Sequence, residues 1–226
     1  SYLDLFEEQR VRGILISPYG DVEPRLHALK KFGIPSILVD RVSENQGFSS
    51  VSVDDVAGGS IATEHLLQKN RRKIAFVGGP LDIPQVRDRL LGARSAMESQ
   101  PEASLIVLET VATTVLEGRR VGHSLLAMDE ADRPDAIFAA NDLVALGLLQ
   151  ALVAAGDIAV PGDIAIVGYD DIDFATSAIV PLTSIRQPSA LMGETALKLL
   201  KEEASNSGMK ARKVVFQPEL IVRSST

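Results

Sequence analysis

Short runs of β-branched and aliphatic residues alternate along this chain with amphipathic stretches, and that rhythm restricts the fold more than any other feature. Repeated strand-helix units of this kind build a largely parallel sheet covered by helices. The runs predict strands at 11–16, 36–39, 73–77, 105–109, 136–140 and 164–168. Between them, a spacing near 3.6 residues predicts helices. One spans 55–69 with Ile61, His65, Leu66 and Leu67 on its inner face, and another spans 142–155 with Val144, Leu148, Leu149 and Leu152. Two more are read at 115–128 and at 189–205, the latter with Leu197, Leu199 and Leu200 as its apolar stripe. The fold class is therefore α/β.

Three further extended segments, 50–53, 182–186 and 213–216, stand where a single sheet would need only turns. They read as crossing strands, so the expectation is two doubly wound parallel-sheet lobes joined by a three-strand hinge. One lobe takes 1–53 with 187–213 and the other 54–186 with 214–226, closing on a strand at 219–222 after Pro218. A helix is expected at the very start. The first lobe then has few strands of its own, which is thin for a stable sheet, and further strand-helix sequence is expected upstream.

Composition narrows the class of partner. With 226 residues the chain can bury a full core, and its longest apolar runs fall far short of a membrane span. The first ten residues carry acids where a secretory signal carries bases, so no targeting segment is expected. There is no cysteine, which excludes disulfides and thiolate metal sites and is compatible with the cytoplasm. The formal charge of −7 opposes a polyphosphate, so this chain alone is not expected to bind DNA. The basic clusters at 69–73 and 210–213 read as solvated turns.

Catalytic signatures are missing. The dinucleotide, P-loop and zincin motifs do not occur. Gly122-His123-Ser124 begins like a hydrolase elbow but sits inside a helical pattern and lacks the closing glycine. His27, His65 and His123 have no spacing that would place two metal ligands on one face. Neither enzyme chemistry nor a metal or cofactor is expected. The pairs Asp54-Asp55 and Asp170-Asp171 could serve as paired carboxylates, but adjacent side chains point apart. In each pair, one carboxylate is expected to face inward and the other to cap a helix.

Polar residues instead collect just after the predicted strands. Asp40 and Arg41 follow 36–39, Arg87 and Arg89 come after 73–77, Asn141 and Asp142 follow 136–140, Asp170 follows 164–168, and Gln187 follows 182–186. In open α/β sheets the carboxyl ends of strands are where ligands bind. One such residue would mean little; several together argue for a site.

The same stretches resemble the effector-binding domains of LacI-type transcription regulators, which share a fold with periplasmic sugar-binding proteins. The likeness runs through Arg-Gly-Ile-Leu-Ile at 12–16 and Gly-Ile-Pro-Ser-Ile-Leu-Val-Asp-Arg at 33–41. It continues with Arg-Arg-Lys-Ile-Ala-Phe-Val-Gly-Gly at 71–79, Ala-Asn-Asp-Leu-Val-Ala-Leu-Gly at 140–147, Ile-Val-Gly-Tyr-Asp-Asp at 166–171 and Pro-Leu-Thr-Ser-Ile-Arg-Gln-Pro at 181–188. The resemblance implies that Arg89, Asn141 and Asp170 contact an effector, with Asp40, Arg41 and Gln187 as further contacts. It departs from the family at 110–117, where an aromatic residue often stacks on the ligand and this sequence offers Thr113, Thr114 and Val115.

Chemistry supports those roles. A carboxylate accepts from two neighbouring hydroxyls, a guanidinium presents a planar fork of donors, and Asn141 can donate and accept at once. Asp40 and Asp170 against Arg41 and Arg89 sum to no net charge, which favours an uncharged sugar or polyol over a phosphate. By resemblance, the full protein is a homodimeric, cytoplasmic repressor whose effector closes the lobes and thereby controls operator binding through a helix-turn-helix head absent from this chain. The segment 175–181 is expected near the dimer contact. The alternative is a periplasmic sugar-binding protein of a transporter. Replacing Arg89 by Ala or Asp170 by Asn is expected to abolish binding and leave the fold intact.

Overall fold

The computed structural model describes residues 11–18, 20, 22–42, 47–156, 158–206 and 208–226. The helix expected at 1–10 lies outside the described residues. The chain divides into two compact units, 1–54 with 188–216 and 55–187 with 217–226.

The first unit is a four-stranded, all-parallel sheet. Its strands are β1 (Ile14–Ile16), β2 (Ser36–Val39), β3 (Ser50–Val53) and β9 (Lys213–Phe216), in the spatial order β1-β2-β3-β9. Between β1 and β2 runs α1 (Glu23–Lys31), which has a proline in its first turn and ends on Lys30 and Lys31, a charge placement that suits the helix dipole. Leu26 and Leu29 of α1 meet Ile14 and Leu38 on one face of the sheet. On the other face α7 (Ser189–Ser205) sets Met192, Ala196 and Leu199 against Ile37, Val51 and Val53. Successive residues of β2, Leu38 and Ile37, thus feed two different cores, as strand geometry requires. The sequence reading put 214–216 in the second lobe; β9 in fact pairs with β3 throughout, Val51 opposite Val214 and Val53 opposite Phe216.

The second unit has a six-stranded sheet in the order β10-β8-β7-β6-β4-β5. In chain order it contains α2 (Asp55–Gln68), β4 (Lys73–Val77), α3 (Pro84–Met97), β5 (Ser104–Leu108), α4 (Val115–Leu126) and β6 (Ala136–Ala139). Then follow α5 (Asp142–Ala155), β7 (Ala165–Asp170), α6 (Asp173–Ser177), β8 (Thr183–Arg186) and β10 (Glu219–Ile221). All neighbours are parallel except β8 and β10. Both faces are covered. Ala75, Val77, Ile137 and Ile166 pack with α4 and α5, while Phe76, Phe138 and Val167 pack with α2 and α3. The central strand β6 is accordingly apolar at each position.

Some boundaries differ from the sequence reading. The first strand is confined to Ile14–Ile16, the strand expected at 105–109 begins at Ser104, and the one expected at 164–168 runs on to Asp170. Neither α3 nor α6 stood out in the sequence. In α3 the buried Val86, Leu90, Ala93 and Ala96 are interrupted by Arg87, Asp88, Arg89 and Gly92, which blurs the period.

The basic turn at 69–73 is committed to the fold. Arg71 donates to the carbonyls of Pro161, Gly162 and Asp163, Arg72 to the carbonyls of Leu67 and Arg71, and Lys73 to the carbonyl of Ala131. These side chains close turns. Gly122-His123-Ser124 lies within α4 and not on a strand-to-helix turn. No helix of the described residues is long and apolar enough to cross a membrane.

Candidate functional site

The six-stranded sheet reverses its winding direction at β4. From β4 the chain passes through α3 to β5 on one side, then returns through α4 to β6 on the other. Such a reversal opens a crevice at the carboxyl ends of the two diverging strands, where α/β proteins bind ligands. The residues expected to bind in this unit gather here.

Arg89 occupies the centre. It lies on α3, only 5% exposed, and its Nε donates to Asp55 Oδ1 at 2.7 Å. Its Nη1 donates to the carbonyl of Ala140, just past β6, at 2.7 Å, so the side chain bridges the point of reversal. The guanidinium stacks over the Tyr169 ring, 3.6 Å from its centroid, a cation–π arrangement in a desolvated setting. Nη2 stands 3.8 Å from Asp170 Oδ1. That is an ion pair but too long for a hydrogen bond, and it leaves both groups able to meet a ligand hydroxyl. Burial alone would lower the Arg89 pKa, but Asp55 and Asp170 outweigh it and hold the guanidinium charged.

Close helix contact puts Arg89 there. A Cβ on Gly59 of α2 would stand 2.0 Å from the Arg89 carbonyl oxygen, and one on Gly92 of α3 would stand 1.9 Å from that of Val56. Only glycine lets the two helices approach so nearly, which carries Asp55, at the start of α2, within reach of Arg89.

Asp170 ends β7 with φ +102°, and Asp171 follows with φ +51°. Neither is glycine, and such conformations cost roughly 1–3 kcal/mol each unless the surroundings hold them. The Asp170 side chain is 31% exposed and accepts from Gln187 Nε2 at 2.7 Å. Burial raises its pKa, against the opposing pull of Arg89 and Gln187. Asp171 was expected to face inward or cap a helix. Its side chain is inward, only 4% exposed, and forms ion pairs with Arg186 and Arg223, each at 2.6 Å, while Ile172 precedes α6 without any side-chain cap. For Asp171, burial favours the neutral acid, but the hydrogen bonds from Arg223 and Arg186 prevail and its pKa is lowered.

Asn141 caps α5. Its Oδ1 accepts from Val144 N–H at 3.0 Å and its Nδ2 donates to the Thr113 carbonyl at 3.2 Å. The segment lacking the usual aromatic residue therefore contributes a backbone acceptor here. An amide has four hydrogen-bonding positions, so capping does not exhaust Asn141.

Arg89, Asp170 and Gln187 thus form one cluster, with Asn141 adjoining Ala140 at its edge. Asp40 and Arg41 sit in the other unit, at the end of β2, where Asp40 has φ +58° and Arg41 Nη1 donates to the Gly20 carbonyl at 2.6 Å. The sequence reading did not connect Asp55 or Tyr169 with Arg89. The signal for Asp55 was the Asp54-Asp55 pair, from which one inward carboxylate was expected. Among the described residues, no cluster of His, Asp or Glu could hold a metal ion.

A largely parallel sheet covered by helices on both faces, with a buried guanidinium and a half-open carboxylate at its reversal point, defines a small-molecule-binding domain. Comparison with known proteins gives its family. The periplasmic binding protein-like domain family matches residues 63–226. PurR of Photobacterium profundum, an HTH-type transcriptional repressor, is 31% identical over 99% of this chain and 67% of its own length. A LacI family transcriptional regulator from Enterococcus faecium, solved with bound ribose, superposes with a TM-score of 0.89 at 30% identity, covering 100% of this chain and 83% of that one. The complex of the regulator CelR with cellobiose superposes with a TM-score of 0.86 at 32% identity, covering 100% of this chain and 69% of that one.

The chain belongs to the LacI-type regulators and is their periplasmic binding protein-like, effector-binding domain. These relatives are transcriptional regulators and not enzymes, so it is a regulatory ligand-binding domain, and a transporter's binding protein is not favoured. It spans about two thirds of the length of the curated relatives it matches.

Proposed function

We propose that this domain binds a small, uncharged, hydroxyl-rich effector, a sugar or polyol, through Arg89, Asn141, Asp170 and Gln187, with Asp40 and Arg41 as further contacts. The observation that carries this reading is the Arg89–Asp170 pair, held at 3.8 Å by buried supports and able to receive hydroxyls. Within this unit, Asp55 and Asp170 set two carboxylates against Arg89. The charge of Arg89 is already met by Asp55, so a phosphate would face Asp170 uncompensated. The ribose and cellobiose bound by the related regulators fit the same chemistry.

In the longer protein, effector binding shifts the domain between two states and so controls operator binding by a helix-turn-helix head, as a cytoplasmic repressor does. The coupling needed is about 1–3 kcal/mol. A homodimer is part of this reading. Phe174 and Ile179, 68% and 72% exposed, lie on or beside the stretch that the family resemblance sets near the dimer contact.

A thermal-shift panel of pentoses, hexoses, disaccharides, polyols and sugar phosphates tests the ligand class, since a ligand of the native state raises the melting point. Neutral sugars should stabilise the wild type, and D170N should lose the shift. Stabilisation by sugar phosphates alone would overturn the proposal. Mobility-shift assays of the full-length protein on its operator, with and without that sugar, test the coupling, and sedimentation tests the dimer.

A further inference from the structure

The corner between β7 and α6 adopts a conformation that its own residues disfavour, with Asp170 and Asp171 both at positive φ. Part of what holds it comes from one side chain. Asp171 N–H donates to Ser184 Oγ at 3.1 Å, the Ser184 hydroxyl donates to Asp142 Oδ1 at 2.7 Å, and Ile172 N–H donates to Asp142 Oδ2 at 2.9 Å. Asp142 is fully buried. It fits because residue 168 is glycine: a Cβ there would stand 2.1 Å from Asp142 Oδ1.

Helix-start aspartates are common because they suit the dipole, but that advantage needs no burial. Burying a carboxylate is unfavourable unless its oxygens are satisfied, and both oxygens of Asp142 are satisfied by the corner. Asp142 also directly follows Asn141. One carboxylate therefore ties the start of α5, which carries Asn141, to the strand end that carries Asp170.

We propose that Asp142 is a positioning residue for the effector site, fixing where Asp170 stands relative to Asn141 without itself touching the effector. This deepens the sugar-binding reading and rests on it. The ionised carboxylate accepts from both the Ser184 hydroxyl and the Ile172 amide; the protonated acid must give up one acceptor. The charged groups around it are Asp170 and Asp171 at the end of β7, Arg186 of β8, and Arg223 after β10, the two arginines being held on Asp171. Burial first, and the neighbouring carboxylates Asp170 and Asp171 in addition, push Asp142 up to about 7, against the two hydrogen bonds. Effector affinity should accordingly weaken as pH falls through that value.

The test is calorimetry on the full-length wild type, D142N and S184A with the best-binding neutral sugar of the panel, at pH values on either side of 7. D142N should weaken binding about tenfold or more at the higher pH and S184A by less, with melting points above the assay temperature. D142N should also lose the pH dependence, which a merely structural side chain would not govern. If D142N does not fold, S184A decides by its own loss of affinity. Unchanged affinity in the variants, or a wild-type pH slope persisting in D142N and so belonging to Asp170, would overturn the positioning role while the sugar-binding reading stands. A wild type that binds no sugar defeats both.

Discussion

Arg89 and Asp55 form a buried ion pair, Nε to Oδ1 at 2.7 Å, with side chains only 6% and 9% exposed. Neither charge has solvent to fall back on. The expectation from sequence that Arg89→Ala would leave the fold intact therefore changes, because it strands Asp55 in the interior. Removing one member of a buried pair costs about 3–5 kcal/mol. Both R89A and D55N should lower the unfolding free energy measured in urea by that order, as well as abolishing effector binding. D170N, at the more open end of the cluster, should lose binding with little change in the midpoint. A D55N protein as stable as the wild type would show that Asp55 does not hold Arg89.

The approach of α2 to α3 makes a second claim on stability. At Gly59 and Gly92 an added methyl group would meet the carbonyl oxygens of Arg89 and Val56 at 2.0 and 1.9 Å, and backbone cannot swing aside as a side chain can. G59A and G92A should each cost about 1–3 kcal/mol by forcing the helices apart. Because Arg89 rides on α3, both should also weaken sugar binding more than their loss of stability would suggest. Denaturation and calorimetry on the same samples separate the two effects.

How much of this was legible depends on whether the information is local. The strands at 36–39, 50–53, 73–77 and 213–216 were read at their observed limits, because runs of β-branched residues bounded by polar ones specify a buried strand by themselves. Strand-end placement likewise brought Arg89, Asp170 and Gln187 forward. The pairing of Asp55 with Arg89 was not visible, since it depends on two helices meeting through glycines 33 residues apart in sequence, Gly59 and Gly92. The partners of the inward Asp171 were not visible either, since Arg186 and Arg223 lie on other elements. Helix α3 was hidden by Arg87, Asp88 and Arg89, which break up its apolar period. The site was thus legible as a list of residues at strand ends, and its supports were not.

His65 gives the protein a pH dependence of its own. It is 7% exposed and its Nε2 lies 2.8 Å from Thr226 Oγ1, which in turn meets Thr183 Oγ1 at 2.9 Å. Burial, with Lys69 nearby, lowers its pKa below the ordinary value of 6.5. The unfolded chain therefore binds a proton at pH values where the folded chain does not. Stability from this group is full above pH 6.5 and is lost as pH falls toward the lowered folded value. Urea midpoints should drop over that range in the wild type and less steeply in H65Q; parallel curves would remove His65 as the cause.

Asp142 acts with the opposite sign. Its pKa is raised from 3.8 to about 7 in the folded state, so between those values the native protein holds a proton that the unfolded chain has released. The contribution to stability is full below pH 3.8 and fades as pH rises to about 7. Over that window the slope for one such proton is about 1.4 kcal/mol per pH unit. The stability difference between wild type and D142N should therefore shrink steadily as pH rises, which cancels the His65 contribution common to both proteins. The carboxylate that organises the site when ionised is then the one whose ionisation the fold resists. That conflict is expected where a buried charge is retained for binding geometry and not for stability, and a difference independent of pH would remove the basis for it.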